Sequence, residues 1–102
     1  MGIFDCMAIQ SFADEDAKAF FVSGLLGKRV GWANTSRIVR RKLDMIHYAA
    51  RLSDLNAPPG TRLEALSRKL EGYHSIRVND QWRIVFRWTE SSPSEVRVID
   101  YH

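Results

Sequence analysis

The chain has 102 residues, 45% of them hydrophobic and 11% aromatic. That is enough for one hydrophobic core, too little for two domains and too apolar for a disordered chain. One cysteine, Cys6, excludes an intrachain disulfide, and three histidines leave a structural zinc site almost without ligands. No cofactor or metal is expected. No run approaches the roughly 18 apolar residues of a membrane span, and no signal-peptide pattern is present, so the reading is a cytoplasmic protein without a membrane partner.

Residues 1–8 read as a disordered leader, with Met7 as an alternative start, and residues 9–102 as a single domain. Ile9-Gln10-Ser11-Phe12 is a short strand candidate. Asp14 is placed to cap a helix ending near Ser23, with Glu15 and Asp16 in the first turn where the helix dipole favours anions, and Gly24 stops it. After a basic, glycine-containing loop, in which Trp32 suits either the core or a stacking platform, Asn34, Thr35 or Ser36 caps a longer helix running to about Arg51. Its expected apolar stripe is Ile38, Met45, Ile46 and Ala49. Asp54 to Thr61, with Pro58-Pro59-Gly60, is a loop, and Leu63, Leu66 and Leu70 suit a short irregular or helical segment.

Two strands follow, and parity decides how they pair. A three-residue loop, Asn79-Asp80-Gln81, sets Val78 against Trp82, Ile76 against Ile84 and His74 against Phe86 on one apolar face. A two-residue loop would bury an arginine against Ile76, so the odd loop is preferred. The other face then carries Arg77 opposite Arg83 and Tyr73 opposite Arg87, an arrangement that needs nearby anions. Bound phosphate or the carboxylates of Glu64, Glu71 or Asp100 would serve. A turn at residues 90–94 leads to a last strand over residues 95–101.

The net charge of +3 is unevenly distributed. Within residues 28–51, Lys28, Arg29, Arg37, Arg40, Arg41, Lys42 and Arg51 face Asp44 alone, a footprint suited to a polyanion as well as to a solvated face. The chain also holds the groups needed to cut RNA by attack of the ribose 2′-OH on phosphorus: an acid, a base and cations for the developing charge. His102 titrates near neutrality, Glu64 and Asp100 are carboxylates, Arg77 and Arg83 carry forked donors, and Tyr101 or Tyr73 can stack on a base. His74 and His47 read as structural, and Trp82, Phe86 and Trp88 as core.

The segment LEALSRKLEGYHSIRVNDQWRIVFRW, residues 63–88, together with the PPG loop and the terminal Asp100-Tyr101-His102, resembles the HigB toxins of HigBA toxin–antitoxin modules, within the RelE-like superfamily. The resemblance implies an α+β fold with N-terminal helices packed on a twisted antiparallel β-sheet. It implies a ribosome-dependent endoribonuclease that cuts translated mRNA without metal and leaves a 2′,3′-cyclic phosphate. It implies a HigA-like antitoxin that alone brings the pair to operator DNA. Carried over by position, Asp100, Tyr101, His102 and Arg83 match the motif, while Glu64 stands where better-known members have a histidine. Either Glu64 is the base and His102 the acid, or His102 does most of the work. RNA contacts are assigned to Arg62, Arg68, Lys69 and Tyr73, and docking on small-subunit ribosomal RNA to Arg37, Arg40 and Arg41. A toxin of the same scaffold that poisons gyrase by protein binding, or a non-catalytic nucleic-acid-binding module, are the alternatives.

Overall fold

The structure, a computed structural model, describes residues 9–56, 61–67, 70–89 and 92–100. The expected leader, the PPG loop, Arg68, Lys69, Tyr101 and His102 lie outside the described residues. Two α-helices, α1 (Glu15–Ser23) and α2 (Ser36–Tyr48), precede four strands: β1 (Glu64–Ala65), β2 (Tyr73–Arg77), β3 (Trp82–Thr89) and β4 (Ser92–Asp100). The strands form one antiparallel sheet in chain order.

Helix α1 begins and ends where its residue chemistry requires. Asp14 accepts hydrogen bonds from the backbone N–H of Asp16 (3.0 Å) and Ala17 (3.2 Å), satisfying donors that a helix start leaves unpaired. Gly24 closes the helix at φ +74°, its N–H donating to the Phe20 carbonyl. The second oxygen of Asp14 accepts from the Val98 backbone N–H at 3.1 Å, so one carboxylate fastens the helix start to β4. Residues 9–13 run beside β4 as expected of an extended segment, joined to it by a parallel bridge between Phe12 and Val96 and by a hydrogen bond from the Gln10 N–H to the Pro93 carbonyl.

Helix α2 differs from its expected form in three ways. It ends at Tyr48, because Ala49 turns extended and the N–H groups of Ala50 and Arg51 are taken by the Asp54 carboxylate at 3.0 and 3.1 Å. Its buried stripe is Val39, Lys42, Leu43 and Ile46, with Ile38 and Met45 only half-buried. A lysine in the stripe breaks the apolar periodicity and shifts the apparent face. Thr35 precedes the helix without a side-chain cap, since a 3₁₀ turn, Ala33–Thr35, leads directly into it.

Both helices cover the sheet face formed by Ile76, Ile84, Phe86, Val96 and Val98, to which Ala17, Phe20, Val39, Leu43 and Ile46 contribute. Trp32 belongs to this core. It is 3% exposed and meets Phe20 edge-on at 5.3 Å, which decides between the core and stacking roles that the sequence leaves open. The loop before it must pass close to β3, because a Cβ at Gly31 would lie 2.9 Å from the Trp82 ring. His47 accepts a hydrogen bond from the Ile9 N–H and packs between Phe21 and Tyr48; His74 stacks beside Phe86, where burial lowers its pKa. Both roles are structural, as expected.

The hairpin register is the one required by parity: Tyr73 opposite Arg87, His74 opposite Phe86, Ile76 opposite Ile84 and Arg77 opposite Arg83. Strand β4 begins earlier than expected, at Ser92, with Pro93 opposite Trp88. A β-bulge then sets two residues, Glu95 and Val96, against Phe86, with Glu95 at φ +52°. Residues 64–65, expected to be irregular or helical, instead add an edge strand, Glu64 opposite Ser75.

Two predictions follow from this packing. Asp14→Ala removes a helix cap worth about 1 kcal/mol and strands the Val98 N–H at a further cost of about 1–2 kcal/mol. A total loss of roughly 2–3 kcal/mol in urea denaturation is expected, with Asp14→Asn losing about half of that because one acceptor oxygen remains. Lys42 is 6% exposed, its Nζ lies 3.5 Å from Thr61 Oγ1, and its pKa falls below the ordinary 10.5 through burial and the repulsion of Arg41 and Arg77. Burying the charged form costs stability at every pH below the lowered value. Between that value and 10.5 the unfolded chain holds more protons, so stability rises with pH. Lys42→Met should therefore have a higher urea midpoint than wild type at pH 7, by a margin that shrinks as the pH approaches 10.5.

Candidate active site

The sheet face away from the helices is built from alternate residues of all four strands. Glu64, Tyr73, Ser75, Arg77, Arg83, Val85, Arg87, Arg97 and Ile99 share it by register. Ser75 and Val85 are fully buried beneath the longer side chains.

Arg83 is the centre of this face. Its side chain is 8% exposed, and its charge is held by oxygen atoms on two sides. Nε donates to Ser75 Oγ at 2.8 Å, Nη2 donates to the Arg62 carbonyl at 2.6 Å, and Glu64 Oε1 lies 3.5 Å from Nη2. A buried guanidinium is tolerated only with such partners. The Arg62 carbonyl is presented by a left-handed backbone at φ +50°, and the preceding Thr61 carbonyl accepts from the Arg77 N–H at 2.7 Å. The chain is thereby turned so that Glu64 enters the sheet edge beside Arg83. Glu64 itself is half exposed, at 49%, and borders a groove of ≈ 470 Å³ lined also by Ala65, Leu66, Ser67 and Leu70.

The like-charged pair Arg77–Arg83 is compensated inside the protein. Arg77 is paired with Asp80 of the turn, and Arg83 with Glu64. No bound phosphate is needed to offset the repulsion; of the carboxylates considered from the sequence, Glu64 serves and the other is Asp80. At the far end of the face, Tyr73 donates its hydroxyl to Glu95 Oε1 at 2.6 Å, and Arg87 lies over the Tyr73 ring at 5.6 Å and 4.0 Å from the same carboxylate. The Glu95 hydrogen bond raises the Tyr73 pKa, keeping the phenol protonated.

The structure thus brings Glu64, Arg77, Arg83, Arg62 and Tyr73 together at one face or its edge. Asp100 stands apart, because its register partner is Trp82, which faces the helices, and Gln81 Nε2 donates to it at 3.1 Å. Arg37, Arg40 and Arg41 lie exposed on α2. Arg40 is also structural: it pairs with Asp44, reaches the Phe21 carbonyl and covers the Phe21 ring at 5.2 Å. Residues that sequence reasoning passed over are Ser75, which orients Arg83, and Arg97. Parity opposite Val85 would have placed both on this face. Among the described residues, no group of three or more His, Cys, Asp or Glu is placed to hold a metal ion, and no helix is long and apolar enough to cross a membrane.

A family profile described as the RelE-like toxin of type II toxin–antitoxin system HigB matches residues 10–102. Toxin HigB-1 of Vibrio cholerae serotype O1 is 48% identical over 50 residues, 49% of this chain, and the chain spans about half, 53%, of that relative's length. An uncharacterised protein of Haemophilus influenzae is 33% identical over 79 residues, covering 78% of this chain and 77% of the relative. Two solved structures share the fold: the YoeB dimer of Staphylococcus aureus (TM-score 0.53, 19% identity, 94% of this chain and 97% of that one) and a YoeB/ParE toxin of Agrobacterium tumefaciens (0.50, 18%, 94% and 99%). The α+β architecture is therefore RelE-like, and the chain belongs to the HigB family of RelE-like toxins of type II toxin–antitoxin systems.

Proposed function

We propose that this toxin is a ribosome-dependent endoribonuclease that cuts translated mRNA, and that its chemistry is centred on Glu64 and Arg83. The observation that carries this reading is a half-exposed carboxylate 3.5 Å from a fixed, nearly buried guanidinium, beside an open groove. A carboxylate there can take the proton of a ribose 2′-OH, while the arginine face receives the charge that develops on phosphorus. The 2′-oxygen bonds to phosphorus and the 5′-oxygen leaves with a proton from an acid, giving a 2′,3′-cyclic phosphate and a 5′-hydroxyl. His102 is our candidate for that acid, with Tyr101 and Asp100 as its neighbours in the chain, and Arg77 as a second cation. Arg62, Arg68, Lys69 and Tyr73 are proposed to hold the RNA, and the exposed arginines of α2 to dock on small-subunit ribosomal RNA. The proposed antitoxin is HigA-like and carries the pair to operator DNA, and the proposed site of action is the cytoplasm.

Primer extension on translated mRNA tests the reading, because neither a gyrase poison nor a plain RNA binder yields cuts that appear only when ribosomes are engaged. In single-turnover assays Glu64→Gln should slow cleavage by about 10²- to 10⁴-fold, the usual weight of general base catalysis, with little change in ribosome binding. Wild-type cleavage rates in Glu64→Gln would remove Glu64 from the mechanism.

A further inference from the structure

Arg97 differs from the other arginines of the polar face. Arg77 is paired with Asp80 of the adjoining turn, Arg83 with Glu64 from across β2, and Arg87 with Glu95 of the neighbouring strand. Arg97 sits on β4, the last strand of the sheet, opposite Val85 and half-buried. It has no hydrogen-bonding or ionic partner among the described residues, and its Nε is shielded from solvent and unpaired. Arg83 pairs with Ile99, two residues along β4, so Arg97 and Arg83 are diagonal neighbours on the same face, about 7–8 Å apart.

A shielded donor without an acceptor destabilises the fold, and a second cation at diagonal distance adds repulsion. Other residues of similar length would cover Val85 at lower cost. The chemistry that repays the position is an anion with several acceptor oxygens, and a planar guanidinium matches a phosphodiester better than any other side chain does. We infer that Arg97 is an RNA-binding residue that grips a phosphodiester flanking the one beside Glu64 and Arg83, and so sets the path of the message across the sheet. This inference rests on the nuclease reading above. Arg97 is thereby a substrate-positioning group, distinct from the residues proposed to move protons.

The test compares Arg97→Met and Arg97→Lys in single-turnover cleavage of translated mRNA. For Arg97→Met the toxin concentration at half-maximal rate should rise about 10- to 100-fold, the equivalent of one charge-assisted hydrogen bond, while the rate at saturation stays near wild type and the melting temperature does not fall. Arg97→Lys should lie between the two. If wild type gives no ribosome-linked cuts, the nuclease reading fails. If wild type cuts and Arg97→Met cuts with an unchanged half-maximal concentration, the inference fails while that reading stands. It fails equally if Arg97→Met only weakens neutralisation by the antitoxin, since the anion is then a protein carboxylate. Should Arg97→Met not fold, the wild-type Arg97 Nε–H resonance decides. It must move on titration with a 2′-O-methyl trinucleotide, and a resonance that stays fixed while that of Arg83 moves overturns the assignment.

Discussion

The placement of the site depends on one buried charge. The Arg83 guanidinium is nearly buried, so oxygen atoms of the protein must surround it, and the chain bends to supply them. Ser75 comes from the neighbouring strand, and the Arg62 carbonyl from a backbone forced into the left-handed region. The same turn delivers Glu64 to the sheet edge, opposite Ser75. The two-residue strand β1 is too short to be stable through its own ladder. It is held in place by Arg83 and by the bond from the Arg77 N–H to Thr61. The group proposed to face the substrate phosphate is thus also the group that positions the proposed base.

This double role changes what a mutation at Arg83 reports. An alanine there would delete a charge from the site and also strand Ser75, the Arg62 carbonyl and β1. A loss of cleavage in that variant would mix chemistry with folding, which a role confined to the transition state would not do. The opposite holds for Arg97 and Lys42, whose positive charges are poorly compensated or uncompensated by the protein. Groups retained at a cost to the fold are where function is most economically sought. For Lys42 the adjoining Thr61 and Arg77 place that cost directly behind the segment carrying Glu64.

Much of the fold is legible in the residues. Asp14 and Gly24 mark the ends of α1 because capping and left-handed closure are local chemistry. The hairpin register over residues 73–87 follows from parity alone, since any one-residue slip would bury an arginine. The places where reading falters share a cause: a residue whose energetics are set by a distant partner. Lys42 interrupts the stripe of α2 because its nitrogen is received by Thr61, nineteen positions on. Trp32, whose role the sequence leaves undecided, is buried against Phe20 of α1. Strand β1 is too brief to show an alternation, and the bulge at Glu95 lacks the glycine that would announce it. The Arg77–Arg83 pair is visible in the sequence, but its compensation is not, because Glu64 reaches Arg83 only once the edge strand is in place.

The central claim is that Glu64 and Arg83 act as one unit in which the arginine both holds the carboxylate and receives the phosphate. A double-mutant cycle on single-turnover cleavage with Glu64→Gln and Arg83→Lys, each variant first checked for folding, tests it most directly. The account predicts strong non-additivity, with the double variant no slower than the slower single variant by more than a few-fold. Effects that multiply would show two independent groups and would contradict the account.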